Sequence, residues 1–321
     1  MNRIKVCFIG CGGIANVHAK HLCNHTDVSL TGCYDTNIES AKEFSDKYSV
    51  PVFKNVETLY DKTKSHAVYI SVPPCAHGKY EIEAANRGIP FFVEKPIATD
   101  LETAKKIASL VRKSKLLTSV GYCFRYSDMV QTAQKILKGK AISLITGLCH
   151  CEMPQSAWWR CHDQSGGQII EQTTHIIDLL LYLCGPVSEV HAMASRGCMS
   201  QIENYDIDDS SVLSLRLKTG AVASITSTCV LNSPGRTRIE IVTPERTVHF
   251  TGNTLRIKEE HKITEYQSTT DMYALETNTF IKAIQQGKRS GIRSTYADAL
   301  KTLRVTLAAN ESINTGMPVK L

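Results

Sequence analysis

The sequence predicts an α/β protein in two parts, an N-terminal doubly wound parallel sheet and a C-terminal α+β domain built on a large, mainly antiparallel open sheet. Three observations carry this. Over residues 1–121 short apolar runs alternate with helical patterns, the first of those runs enters a glycine-only turn, and past residue 121 the pattern changes to successive runs with alternating side chains. At 321 residues the chain exceeds the usual single-domain length, so two cores are expected, one over 1–121 and one over 122–321.

In the first part the order is "RIKVCFIG", a helix through "IANVHAKHL", "VSLTGCYD", a helix through "IESAKEFSDKY", "AVYISVPP", a helix through "HGKYEIEAANRG", and "PFFVEKP". Such βαβ alternation produces a parallel sheet covered by helices on both faces. The first strand delivers Gly10-Cys11-Gly12-Gly13-Ile14-Ala15, a G-x-G-x-x-A turn that opens a helix. Glycines there let the backbone approach a pyrophosphate, and the helix N-terminus offers it unpaired N–H groups and a positive dipole end. The turn is answered after the second strand by Asp35, 25 residues beyond Gly10, where a carboxylate accepts a hydrogen bond from an adenosine ribose. A Rossmann fold is therefore expected. Asp35 would repel a 2′-phosphate, and Thr36 and Asn37 supply no arginine, so NAD is expected over NADP.

Ligands of open α/β sheets bind beyond the carboxyl ends of the strands. Ser71, Val72 and Pro73, with His77 at the start of the next helix, therefore border the cofactor. Glu94-Lys95-Pro96 stands on the same edge. Pro96 excludes helical geometry at Lys95, and Thr99 with Glu102 reads as a capping box that starts the next helix. Lys95 is thus expected on a short, stiff corner at the ligand edge, with Glu94 beside the cofactor.

In the second part a helix over 127–138 precedes "AISLITGLCHCEM", "VSEVHAMASR", "SSVLSLRLK", "AVASITSTCVL", "RTRIEIVT", "RTVHFTG" and "NTLRIKEE", which read as strands with short turns. Alternation as in "SVLSLRLK" suits a sheet with one face covered by helices. Between the first two strands lies "QIIEQTTHIIDLLLYLC", residues 168–184, where Glu171, His175 and Asp178 fall at i, i+4 and i+7 on one stripe of an otherwise apolar helix. A buried helix must turn such a stripe toward partners or a cavity. The preceding "WWRCHDQSGG" offers Trp159 as an apolar wall for a sugar or nicotinamide and Arg160 as an anion ligand. Tyr122, Arg125 and Tyr126 are further candidates for the same site.

Composition bounds the alternatives. Hydrophobic residues at 42% and charged residues at 21% describe an ordinary globular chain, and no apolar run reaches the roughly 20 residues that span a bilayer. The net charge of +6 is not gathered into runs or interleaved with aromatics, so no nucleic-acid partner is expected. Twelve scattered cysteines without repeated C-x-x-C pairs, and an N-terminus without a small-residue cleavage site, point to reduced thiols in the cytoplasm. "CHCE" at 149–152 with "RCHD" at 160–163 matches no standard zinc spacing, so no metal is expected.

The chain resembles the Gfo/Idh/MocA family, named for glucose-fructose oxidoreductase and inositol dehydrogenase. The resemblance rests on "GCGGIANVHAKHL", "SVPPCAHGKY", "VEKPIATDLETA", "GYCFRYSDMV", "SGGQIIEQTTHIIDLLLYLCG" and "YADALKTLRVTLAANESINTGMPVKL", which together span nearly all of it. It implies an NAD-dependent oxidoreductase acting on a sugar, cyclitol or related polyol hydroxyl, with Lys95 the catalytic lysine and the Lys95–Pro96 bond cis. It also implies pairing through the C-terminal sheet as a homodimer or homotetramer. His175 is then expected as general base, held in its tautomer by Glu171 or Asp178, with Lys95 donating to the same oxygen. Where the family usually carries aspartate this chain has Glu171, which keeps the charge and adds a methylene. Two alternatives use the same residues or fewer: a lyase, epimerase or glycosidase that recycles NAD through transient oxidation, and a non-catalytic NAD(H)-binding regulator.

Overall fold

The computed structural model describes residues 3–321. The chain separates into two compact units, one taking the chain up to Cys123 together with Asp271–Leu300, the other taking Phe124–Thr270 with Lys301–Leu321.

The first unit holds five parallel strands, β1 (Ile4–Ile9), β2 (Val28–Tyr34), β3 (Ala67–Ile70), β4 (Phe91–Val93) and β5 (Thr118–Val120), in the order β2-β1-β3-β4-β5. Residues of β3 and β4 are buried throughout, as strands covered on both faces must be. The strands alternate with helices α1 (Gly13–Cys23), α2 (Ile38–Tyr48), α3 (Val56–Thr63), α4 (Lys79–Asn86) and α5 (Leu101–Lys113). Short polar side chains set the helix starts: Asn37 accepts from the Glu39 and Ser40 N–H groups, and Asn55 accepts from Thr58 N–H. α5 starts one residue later than the Thr99 box predicts, because Asp100 is its cap and accepts from Thr103 N–H at 2.8 Å.

Residues 271–300, expected in the second part, group with this first unit. The cause is apolar burial: in the helix Met272–Gln286, Phe280 and Ile281 join Ala15, Ala19 and Leu22 of α1 in one core.

The second unit opens with α6 (Asp128–Leu137) and is built on β6 (Leu144–His150), β7 (Val187–Ser195), β8 (Ser210–Leu217), β9 (Val222–Thr228), β10 (Arg236–Val242), β11 (Thr247–Thr251), β12 (Thr254–Lys258), β13 (Ile263–Gln267) and β14 (Val319–Lys320). Their order is β13-β12-β11-β10-β6-β9-β8-β7-β14, antiparallel except for β6 beside β9. β13 and β14 escaped the sequence reading, since β13 is almost wholly exposed and β14 has two residues. Between β6 and β7 lie a single turn, α7 (His162–Ser165), and the helix α8 (Thr174–Cys184). α8 covers one face of the sheet: Ile176, Ile177, Leu179 and Leu180 pack with Ile145, Leu213, Ile225 and Ile239. β8 alternates buried and exposed residues accordingly.

Among the described residues no helix is long and apolar enough to cross a membrane, and no group of three or more His, Cys, Asp or Glu is placed to hold a metal ion. None of the twelve cysteines is in a disulfide.

Gly147 is where α8 meets β6. A Cβ there would lie 2.6 Å from Ile225 Cδ1 and 2.8 Å from Ile176 Cγ2. Gly147→Ala is therefore expected to destabilise the protein by about 1–3 kcal/mol through overpacking, read as a lower urea midpoint at unchanged slope.

Candidate active site

The register of the parallel sheet aligns Tyr34 with Ile9, Ile9 with Ile70, Ile70 with Val93, and Val93 with Val120. The residues that follow, Asp35, Gly10, Ser71, Glu94 and Gly121, therefore form a row along the carboxyl edge. Hydrogen bonds extend the ladder to that row: Gly10 N–H donates to Tyr34 O at 2.9 Å, Ser71 N–H to Ile9 O at 2.8 Å, Glu94 N–H to Ile70 O at 2.9 Å and Gly121 N–H to Val93 O at 3.0 Å. From Asp35 to Glu94 is three strand spacings, about 14 Å at about 4.8 Å each, the scale of an extended dinucleotide. The strand order reverses at β1, which makes the β1/β3 crevice the switch point where such folds bind ligands.

The glycine loop fits a pyrophosphate. Gly10 has φ +85°, and a Cβ on it would lie 2.2 Å from Ser71 O and 3.2 Å from Val72 Cγ1, so only glycine is accommodated. At Gly12 and Gly13 the reverse holds: a Cβ would meet nothing within 4 Å. Gly12 is the cap of α1 and supplies no side-chain acceptor to the N–H groups of the first turn, the groups with which a helix N-terminus binds an anion. Ile14 follows, half-buried, in that turn. Asp35 is fixed beside the loop, Oδ2 accepting from Cys11 N–H at 2.7 Å and Oδ1 from Asn37 N–H at 2.8 Å. A cradle without side chains and an oriented carboxylate at the end of β2 are what NAD requires.

Of the other edge residues, His77 and Glu94 take internal partners. Ser71 is buried, with Val72 and Pro73 half-buried after it, and a short turn, Pro74–Ala76, follows. His77 is buried and its Nδ1 lies 2.5 Å from Glu81 Oε1, while Glu81 Oε2 accepts from Gly78 N–H at 2.7 Å. His77 thus belongs to the capping arrangement of α4. Glu94, expected beside the cofactor, is turned inward: Oε1 lies 2.7 Å from His18 Nε2, Oε2 accepts from Lys95 N–H at 3.3 Å, and a Cβ on Gly121 would fall 2.6 Å from both oxygens. The Lys95–Pro96 bond is cis. From Phe91 to Ala98, Lys95 alone is not buried. Tyr122, a candidate substrate contact, is 1% exposed.

In the second unit the predicted helix is in two parts, a π-helical turn over Ile169–Thr173, which carries Glu171, and α8, which carries His175 and Asp178. Asp178 receives Arg125 in a two-point pair, Nε to Oδ2 at 2.8 Å and Nη2 to Oδ1 at 2.7 Å, and a third bond from Thr302 Oγ1 at 2.9 Å. Glu171 accepts from Trp159 Nε1 at 2.5 Å. Trp159, expected as a wall of the site, is 1% exposed and packs with Ile207 and Cys229, its indole N–H satisfied by that carboxylate. Tyr126 is fully buried and Arg160 half-buried. His175 is the one residue from Thr173 to Leu180 that is not buried, its ring 5.5 Å from that of Phe124.

The sequence reading did not single out His18, Thr277 or Glu81. His18 had a visible signal, an imidazole on the same helical face as Ala15, Ala19 and Leu22, all buried. Thr277 bonds His18 Nδ1 at 3.1 Å from a helix more than 250 residues along the chain, which no local pattern reports.

A parallel sheet with a bare glycine cradle, an acid at the end of β2 and a lysine corner on the same edge defines a nucleotide-dependent oxidoreductase of the Rossmann class. Two family models match the chain, the oxidoreductase family with NAD-binding Rossmann fold over residues 4–122 and the GFO/IDH/MocA C-terminal domain over 130–249. The chain belongs to the GFO/IDH/MocA oxidoreductase family, and its cofactor is NAD. It is 25% identical to scyllo-inositol 2-dehydrogenase (NAD(+)) of Bacillus subtilis (strain 168), over 100% of this chain and 97% of the relative. To myo-inositol 2-dehydrogenase of Thermotoga maritima it is 24% identical, over 99% and 98%. A solved complex of levoglucosan dehydrogenase with NADH and L-sorbose shares the fold at a TM-score of 0.89 and 20% identity, over 100% of this chain and 99% of the other.

Arg125 and Asp178 are 6% and 2% exposed at their side chains. Arg125→Ala leaves a buried carboxylate short of its counter-charge, so a loss of about 3–5 kcal/mol is expected in urea unfolding.

Proposed function

We propose that the protein transfers a hydride between NAD and a hydroxyl carbon of a sugar, cyclitol or related polyol, with Lys95 and His175 handling the oxygen and its proton. The observation that carries this reading is the position of Lys95, the one accessible side chain of a buried run, on the edge that also carries the glycine cradle and Asp35. The relatives named for inositols support the substrate class.

Bound NAD supplies the hydride acceptor or donor. The chain's own residues do the rest. The first-turn N–H groups of α1 bind the pyrophosphate, and Asp35 accepts from the adenosine ribose and disfavours a 2′-phosphate. Lys95 donates a hydrogen bond to the substrate oxygen as negative charge develops there. His175 takes the hydroxyl proton as general base. Asp178, committed to Arg125 and Thr302, anchors α8 beneath His175.

The open face of the large sheet supports self-association. Leu144, Met193, Val212 and Val222 are exposed on it, with Leu144 paired to Val222 and Met193 to Val212. We propose that two copies pair through this face, and Val212→Arg is expected to shift sedimentation toward the monomer. The absence of disulfides among twelve cysteines supports a reducing, cytoplasmic location.

The test of function is NADH absorbance with NAD or NADP against inositols, aldoses, sugar acids and anhydro-sugars, with product analysis of each reaction. Absorbance rising with NAD and one polyol is expected, and Lys95→Ala should lower kcat about a hundredfold or more while sparing NAD binding. Near-wild-type turnover in that variant would overturn the role of Lys95. An altered sugar without NADH would replace a simple dehydrogenase with NAD recycling.

A further inference from the structure

Glu94 is 6% exposed and His18 is 0% exposed, yet the reaction as proposed uses neither. A carboxylate withdrawn from water is costly unless it is bonded, so a chain that keeps one at the end of β4 has spent stability on placing it. The partners define a directed chain. A carboxylate only accepts, so the 2.7 Å contact requires the proton on His18 Nε2. A single proton on Nε2 leaves Nδ1 to accept from the Thr277 hydroxyl, 3.1 Å away. At the other end Glu94 Oε2 accepts from the backbone N–H of Lys95 at 3.3 Å.

The ring of His18 is held in its rotamer by neighbours, with the Phe92 centroid 4.6 Å away and that of Tyr69 at 5.3 Å. Gly121 makes the space in which the Glu94 carboxylate sits, since a Cβ there would collide with both oxygens. Lys95 is electrostatically close to this cluster: after burial, Glu276 and Glu94 push the Cys123 thiol up, and Lys95 opposes them. His18 belongs to α1, the helix that the glycine loop opens, and Lys95 to the corner after β4.

We propose that His18 is a positioning residue for Lys95, holding Glu94 so that the lysine's backbone is fixed relative to the helix that receives the cofactor. This rests on the assignment of Lys95 above. Replacing the histidine should disturb turnover rather than cofactor affinity.

The experiment compares His18→Phe, which keeps a ring between Phe92 and Tyr69 but removes both nitrogens, with His18→Gln, which restores a donor at the Nε2 position. His18→Phe is expected to lower kcat about 10–100-fold with KM for NAD within about twofold, and His18→Gln to recover most of the loss. Thr277→Val, a milder change at the far end of the chain, should lower kcat about threefold and serves if His18→Phe does not fold. Hydrogen exchange of the peptide containing the Lys95 amide should quicken in His18→Phe and return toward wild type in His18→Gln, a readout that needs no substrate. Wild-type kcat and unchanged Lys95 exchange in His18→Phe, or equal losses in the Phe and Gln variants, would overturn the positioning role. Full turnover of Lys95→Ala would instead remove the catalytic reading of Lys95, with the exchange data still deciding whether His18 holds that corner.

Discussion

Four parallel strands, β1, β3, β4 and β5, end on one level, and that shared register is the constraint from which the first unit's chemistry follows. It brings Gly10, Ser71, Glu94 and Gly121 side by side. Two of the four positions are glycine, and a Cβ there would be crowded in one by Ser71 O and in the other by the Glu94 carboxylate. The same register explains why adjacent charges part company at the end of β4. Successive residues of an extended chain point to opposite sides, so Glu94 enters the interior toward His18 while Lys95 remains accessible.

Much of this was legible in the sequence because it is local. Apolar runs of strand length separated by helical patterns predict a parallel sheet, and glycines between a strand and a helix predict a cradle. Asp35 at the end of the second strand was readable from spacing. What was not legible depends on partners distant in the chain. Glu94 reads as a ligand-edge acid until His18 and Thr277 are placed against it, and the helix Met272–Gln286 carries no mark that it joins the core of α1. The capping box at Thr99 lost to Asp100 by one residue, a margin that caps of similar strength do not resolve.

The second unit shows the limit of periodicity itself. Regular α-helical spacing sets Glu171, His175 and Asp178 on one stripe, but Glu171 stands in a π turn, Ile169–Thr173, where that spacing does not apply. Both carboxylates then take partners the spacing did not supply, Trp159 for Glu171 and Arg125 with Thr302 for Asp178. Trp159 and Arg125 were both visible as unusual residues. A tryptophan or arginine beside an acidic helix serves equally as ligand contact or as internal partner, and only burial separates the two.

Burial also bears on the roles proposed for Lys95 and His175. Each unit contains a run of buried residues interrupted by one accessible ionisable side chain, Lys95 in Phe91–Ala98 and His175 in Thr173–Leu180. Beside each stands a buried carboxylate held by another side chain, Glu94 by His18 in one and Asp178 by Arg125 in the other. Such contacts add little net stability relative to an apolar core, because desolvation offsets most of the attraction. They do penalise every geometry but one. A side chain that must meet a reacting atom repeatedly to within a fraction of an ångström gains from a neighbour that cannot move. On the roles proposed for Lys95 and His175, the buried acids of both units serve as the fixed frame of these two accessible groups.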